Sequence, residues 1–223
     1  MAVSPRSDEE IQEDVLAELK WDPRVRINEI GVIVTDGIVT LTGWVDSLPQ
    51  KIAAEEAASR VRGVKAIVND IEVRLPGFAE RTDIDLAKAV LDALKWEADI
   101  PTGKLEVKVD HGWVTLKGMV EHNYQRQSAE DAVKKIAGVK GVTNIITVKP
   151  QLVPTDLKQQ IEKALVRNAE IDAQRITVEM QDGKVILRGT VRSYAEKLAA
   201  EDTAWLAPGV TEVENHIVVS PLP

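Results

Sequence analysis

The sequence predicts an α+β protein of three tandem αββαβ modules, each with two helices packed on a three-stranded mixed sheet. Three observations carry this: two sequence blocks recur three times in register, helical and strand periodicities alternate in one order, and proline interrupts both between copies. The first block reads DGIVTLTGWV at 36–45, HGWVTLKGMV at 111–120 and DGKVILRGTV at 182–191. The second reads GVKAIVNDI from Gly63, GVKGVTNII from Gly138 and GVTEVENHI from Gly209. In every copy the second block starts 20 residues after the glycine of the first (Gly43, Gly118, Gly189). The copies are offset by 75 and then 71 residues, and each offset holds through both blocks, so the four-residue difference falls in a linker. Proline appears at Leu75-Pro76-Gly77 and across 150–154, which divides the chain into domains at 7–76, 81–150 and 153–221. Domains of this size are small but can fold alone.

Each copy opens with apolar residues four apart: Ile11, Val15 and Leu19, then Leu86, Val90 and Leu94, then Ile161 and Leu165. That spacing builds one face of a helix, and Asp8 and Asp83 stand before it as candidate N-caps. Alternation of period two follows, in Ile30, Val32, Val34; Leu105, Val107, Val109; and Ile176, Val178, Met180. Asp36-Gly37, His111-Gly112 and Asp182-Gly183 then supply the positive φ of a tight hairpin. On the second strand Val39, Leu41, Gly43 and Val45 share a row. A glycine there predicts close approach by a helix. A second helix is expected over about 48–62, 124–137 and 194–206, with a small-residue stripe (Ala54, Ala58, Val61; Ala129, Val133, Ile136; Ala200, Ala204, Ala207) and Gly63, Gly138 and Gly209 as C-caps. The last strand carries Ile67, Asn69, Ile71 and Val73 on one row, matched by Val142, Asn144, Ile146 and Val148 and by Val213, Asn215, Ile217 and Val219. A right-handed crossover brings it parallel to the second strand.

The αββαβ order, the D-G-x-V-x-L-x-G-x-V strand and the G-V-x-x-V-x-N-x-I ending resemble the BON domain family, three times over nearly the whole chain. The resemblance implies two helices on a three-stranded mixed sheet. It also implies binding of phospholipid or membrane surfaces in osmotic or envelope stress, in proteins that are commonly exported.

A net charge of −8 argues against nucleic-acid binding, and the absence of cysteine excludes disulfides and thiolate chemistry. No window approaches 18 uninterrupted apolar residues. Residues 1–10 are polar, without a basic then apolar stretch, so the expected address as written is cytoplasmic, or periplasmic if a signal was removed.

Catalytic candidates are few. His111, His122 and His216 occupy different positions and are replaced in other copies, so they read as turn or surface residues and no metal or cofactor is expected. Glu55, Glu130 and Glu201 recur on the second helix, either as a shared acidic site or as a solvated face. Asn69, Asn144 and Asn215, the polar members of a core row, are expected to tie the strand to neighbouring backbone. Lys134, Lys135 and Lys140 form a basic cluster that could touch anionic headgroups, or an ordinary solvated helix end.

The sheet face away from the helices carries more. It holds Ile33, Ile38, Trp44 and Val68 in the first copy and Trp113, Met119 and Ile145 in the second, with Ile38 and Met119 expected beside the tryptophans. The third copy's face is more polar, with Glu179, Lys184 and Arg188, although Ile186 and Val218 remain on it. Clustered apolar residues on an open face mark an interaction surface. Trp21 and Trp96, at equivalent helix ends, are expected in the core. The reading is a non-catalytic binding or scaffold protein for anionic phospholipid, an envelope component or a partner protein. The alternative is a structural protein that self-assembles.

Overall fold

A computed structural model describes residues 6–101, 103–150, 156–168 and 171–220. The expected linker prolines beyond 150 and both ends of the third domain lie outside the described residues. The first module consists of α1 (Asp8–Trp21), β1 (Ile30–Thr35), β2 (Ile38–Val45), α2 (Leu48–Ser59), and a last strand split into β3 (Ala66–Asn69) and β4 (Glu72–Val73). The second runs α3 (Asp83–Trp96), β5 (Leu105–Asp110), β6 (Trp113–Val120), α4 (Asn123–Lys134), β7 (Gly141–Val148). The third runs α5 (Leu157–Arg167), β8 (Ile176–Gln181), β9 (Lys184–Val191), α6 (Tyr194–Trp205), β10 (Glu212–Val219).

In each module the second strand is central, antiparallel to the first and parallel to the last. The registers agree: Leu41 faces Val32 and Asn69, Leu116 faces Val107 and Asn144, Leu187 faces Val178 and Asn215. The first-helix stripe is buried in all three modules, as Ile11, Val15, Leu19; Leu86, Val90, Leu94; and Leu157, Ile161, Leu165. It packs on the first strand of each module, and the row Val39, Leu41, Val45 and its counterparts on the second strand is buried as well. Each such side chain contributes about 1.5–3 kcal/mol by leaving water.

The hairpin turns have positive φ at both central residues: 54° and 77° at Asp36-Gly37, 50° and 84° at His111-Gly112, 48° and 85° at Asp182-Gly183. A two-residue turn of this kind matches the right-handed twist of the flanking strands. The N-caps differ from expectation. Ser7 and Thr82 cap α1 and α3. Asp8 and Asp83, one residue inside, reach across instead and accept both amides of the hairpin turn, at 2.8 and 2.9 Å in the first module and 2.9 and 3.0 Å in the second. The third copy has Pro154 at this position and cannot repeat the bond.

Three further expectations are corrected. Trp21 and Trp96 are 82% and 88% exposed, not core. Each lies two residues beyond the last buried leucine, a rotation of about 200° that turns it to the opposite side of the helix. The second helices end at Ser59, Lys134 and Trp205, and Gly63, Gly138 and Gly209 fall in the turn that follows rather than at the cap. Ile136 and Ala207 are therefore only partly buried. The strand glycines are not approached by a helix. A Cβ on Gly43, Gly118 or Gly189 would overlap the carbonyl oxygen of Glu29, Lys104 or Arg175, at the start of the neighbouring first strand. Their φ values of 104°, 149° and 139° are ones that side chains avoid.

The first module has one brace of its own. Asp22, buried at the end of α1, pairs with Arg24 at 2.8 Å and with Arg60, just past α2, at 3.2 Å. Hydrogen bonds from Arg24 above all, opposed by burial and aided by Arg60, hold its carboxyl far below the usual range. The third module meets the same need with a neutral pair, the Asn168 amide donating to Thr203 Oγ1 at 3.0 Å.

Gly118→Val should unfold the second module selectively. Left-handed strain and the clash with residues 104–105 together cost about 2–5 kcal/mol. Hydrogen exchange by mass spectrometry should show lost protection over β5, β6 and β7 while the first and third modules keep theirs. Unchanged protection would remove the glycine from this role.

Candidate functional site

The recurring polar residues join first. On the last strand Asn69, Asn144 and Asn215 each use the side-chain oxygen to accept the backbone amide two residues on, at 3.3, 3.1 and 3.1 Å. Each donates its amide nitrogen to the second-helix carboxylate, Glu55 at 2.9 Å, Glu130 at 2.9 Å and Glu201 at 3.2 Å. In the second and third modules the same nitrogen also reaches a helix carbonyl, of Arg126 or Lys197. The three glutamates are thus neither an acidic site nor a free face. Each one helps pin the last strand to the helix that crosses over to it.

Glu130 shows the electrostatics. Partial burial pushes its carboxyl up, but the Lys134 ammonium at 2.6 Å and the Asn144 amide outweigh this and hold it below the ordinary range. A carboxylate kept ionised in this way braces the fold and is a poor proton donor.

The same ion pair decides the basic cluster. Lys134 is committed to Glu130, and Lys140 lays its stem against Gly112 at the hairpin end. Lys135, at the α4 C-cap, is exposed. The three do not present a common basic surface from one element.

The uncovered sheet faces are where the structure leaves apolar side chains in solvent. In the first module Ile33, Ile38 and Val68 are exposed, with Ile33 and Val68 flanking Thr40 across the three strands. In the second, Met119 and Ile145 are exposed as diagonal neighbours on β6 and β7. Trp113 is half exposed; its ring lies over Gly141, where a Cβ would meet it at 2.5 Å, and its Nε1 donates to Thr143 Oγ1 at 2.8 Å. Trp44 is partly buried under the Arg74 guanidinium, 5.7 Å from the ring, and Arg74 pairs with Glu72. The expected pairing of each tryptophan with a neighbouring apolar residue is corrected by the register. Trp44 aligns with Met119 and Ile38 with Trp113, so the members of each pair stand six residues, about 20 Å, apart on one strand. In the third module the corresponding face carries ion pairs, Lys184 with Glu212 at 3.0 Å and with Glu214, and Arg188 with Glu179 at 3.5 Å.

Trp21 and Trp96, expected in the core, are instead exposed aromatics at the helix ends. The signal was their angular offset from the buried leucines. Among the described residues, no helix is long and apolar enough to cross a membrane.

The depressed Glu130 carboxyl sets a pH dependence. Its folded value lies below its unfolded one, so its stabilisation is present above the ordinary glutamate range and is lost as pH falls through the folded value. Thermal unfolding between pH 7 and 3 should show the second module weakening below about pH 4.3, with the slope reduced in Glu130→Gln. An identical slope would free Glu130 from the brace.

Comparison with known proteins accords with this fold. The sequence model of the BON domain matches residues 7–74, 82–150 and 155–221. The chain is 28% identical over 148 residues to the osmotically-inducible protein Y of Escherichia coli (strain K12), covering 64% of this chain and 73% of that protein. It is 27% identical over 131 residues to an uncharacterised protein in the gshII 5′ region of Anaplasma centrale, covering 55% of this chain and 83% of that one. Among solved structures, the C-terminal domain of CdsD, a structural protein of the type III secretion system of Chlamydia trachomatis, aligns over 94% of this chain and 96% of that one. Its identity is 12% and its TM-score 0.27, a likeness too loose to bear on fold or function. With all three copies matched by one family, this chain belongs to the BON domain family.

Proposed function

We propose that the chain is a non-catalytic binding protein of three domains, at 7–76, 81–150 and 153–221, acting in osmotic or envelope stress. It binds a phospholipid surface, an envelope component or a partner protein through the uncovered sheet faces of its first two modules. One observation carries the reading. The same face exposes Ile33, Ile38 and Val68 together in the first module and the neighbours Met119 and Ile145 in the second, with Trp113 farther along β6; in the third, ion pairs take up much of the face and Val218 stays exposed. Exposed apolar residues are tolerated singly, but such a cluster repeated on equivalent faces is an interaction surface. The similarity to an osmotically inducible bacterial protein supports the physiological setting.

The test is Ile33→Ser combined with Met119→Ser. Both side chains point away from the helices, so the circular dichroism and melting profile should stay at wild type. Co-sedimentation with phosphatidylethanolamine–phosphatidylglycerol vesicles, or complex formation in analytical ultracentrifugation, should weaken about tenfold, as expected for losing two partly buried apolar contacts. Loss of vesicle binding identifies lipid, and loss of self-association identifies the structural alternative. Wild-type behaviour in both assays would remove the sheet faces from function.

A further inference from the structure

We propose that Asp83, Asp110 and His111 form a site for one first-row divalent transition-metal ion, of the zinc class, at the hairpin end of the second module. The site is independent of the sheet faces. Each residue brings one ligand atom, and the three atoms lie within 4.8 Å of one another. Around Zn²⁺, metal–ligand distances of about 2.0–2.2 Å place neighbouring ligands about 3.4 Å apart. The remaining gap closes by rotating side chains that are free to rotate, since His111 is 96% and Asp110 63% exposed. His111 Nδ1 already stands 2.6 Å from Asp110 Oδ1.

The third ligand is held in place by the fold. Asp83 takes one backbone amide on each carboxylate oxygen, from His111 and Gly112, which aims the group at the turn and leaves one lone pair on each oxygen. One imidazole and two carboxylates suit zinc, nickel or copper better than calcium or magnesium, which prefer all-oxygen cages. Three protein ligands leave the remaining positions to water.

Ligands that recur in every copy would have marked a metal site in the sequence, and these do not recur. This set belongs to one copy. The first module has Asp8 and the turn pair Thr35-Asp36; the third has Pro154 and Gln181-Asp182. Neither has an imidazole at these positions. The Lys140 ammonium opposes the site; its stem lies on Gly112 and its charge acts on Asp83.

The experiment titrates the full chain with Zn²⁺ by calorimetry and locates the ion from Cu²⁺ broadening of backbone amide signals. One ion per chain is expected, with amides 83 and 110–112 broadened first. His111→Asn should weaken Zn²⁺ binding tenfold or more with unchanged circular dichroism, because asparagine tolerates the positive φ of this turn. Lys140→Gln should tighten binding about two- to fivefold at low salt, by removing a like charge beside the ion. Absence of binding, wild-type affinity in His111→Asn or in Lys140→Gln, or broadening centred on His122 or His216 would each overturn the site.

Discussion

The last strand of each module is the element everything else depends on. It must lie parallel to the central strand, so it can reach its place only by a crossover and gains nothing from a local turn. Its ladder is shared with one neighbour alone, and its central residues are only partly buried. What fixes it is the asparagine at its middle. One side chain closes onto its own strand through Ile71, Ile146 or Ile217 and onto the crossover helix through Glu55, Glu130 or Glu201. An apolar residue there could fill the space, but it could not choose a register. A slip by one residue would move the asparagine to the open face and turn Ile146 and Val148 into solvent.

This brace explains the composition of the second helix. To bring a carboxylate within 2.9–3.2 Å of a strand side chain, the helix must sit low on the sheet. Alanine at 54, 58, 129, 200 and 204, all buried, allows that approach. The bulk of the core then comes from the first helix, whose stripe is leucine, isoleucine and valine. The hairpin end is tied separately, by Asp8 and Asp83 in two modules. In the third, that tie is absent from the sequence at Pro154.

How much of this was legible depended on period and repetition. Element order, the hairpin turns and the strand rows followed from spacing, because three copies with one register exclude accident. The asparagine's attachment to backbone was also legible, since a polar residue on a core row must find partners. Its carboxylate partner was not, because residues 14 apart on different elements meet only once the crossover is built. Glycine in a strand likewise reports that something is close without saying what. Here it is a carbonyl oxygen of the adjacent strand rather than a helix. Trp21 and Trp96 were misplaced for a simpler reason: their large apolar surface outweighed their angle on the helix. At the candidate surface, register decided which residues meet, and it separated Trp44 from Ile38 and Trp113 from Met119.

The three copies share their inner rows and differ on their outer ones. Core positions are interchangeable between modules because the same Asn–Glu brace and the same glycine-backed edge must close each time. Outer positions face no such demand. There the first module carries isoleucine and valine, the second methionine, isoleucine and an imidazole beside two carboxylates, and the third salt bridges. The charge follows the same division, at −5 for residues 1–76, 0 for 77–150 and −3 for 151–223. The neutral second module repels an anionic surface least, and it is also the one that exposes Met119 and Ile145. On the proposed reading, contact with such a surface would fall first to the second module, with the first adding apolar area.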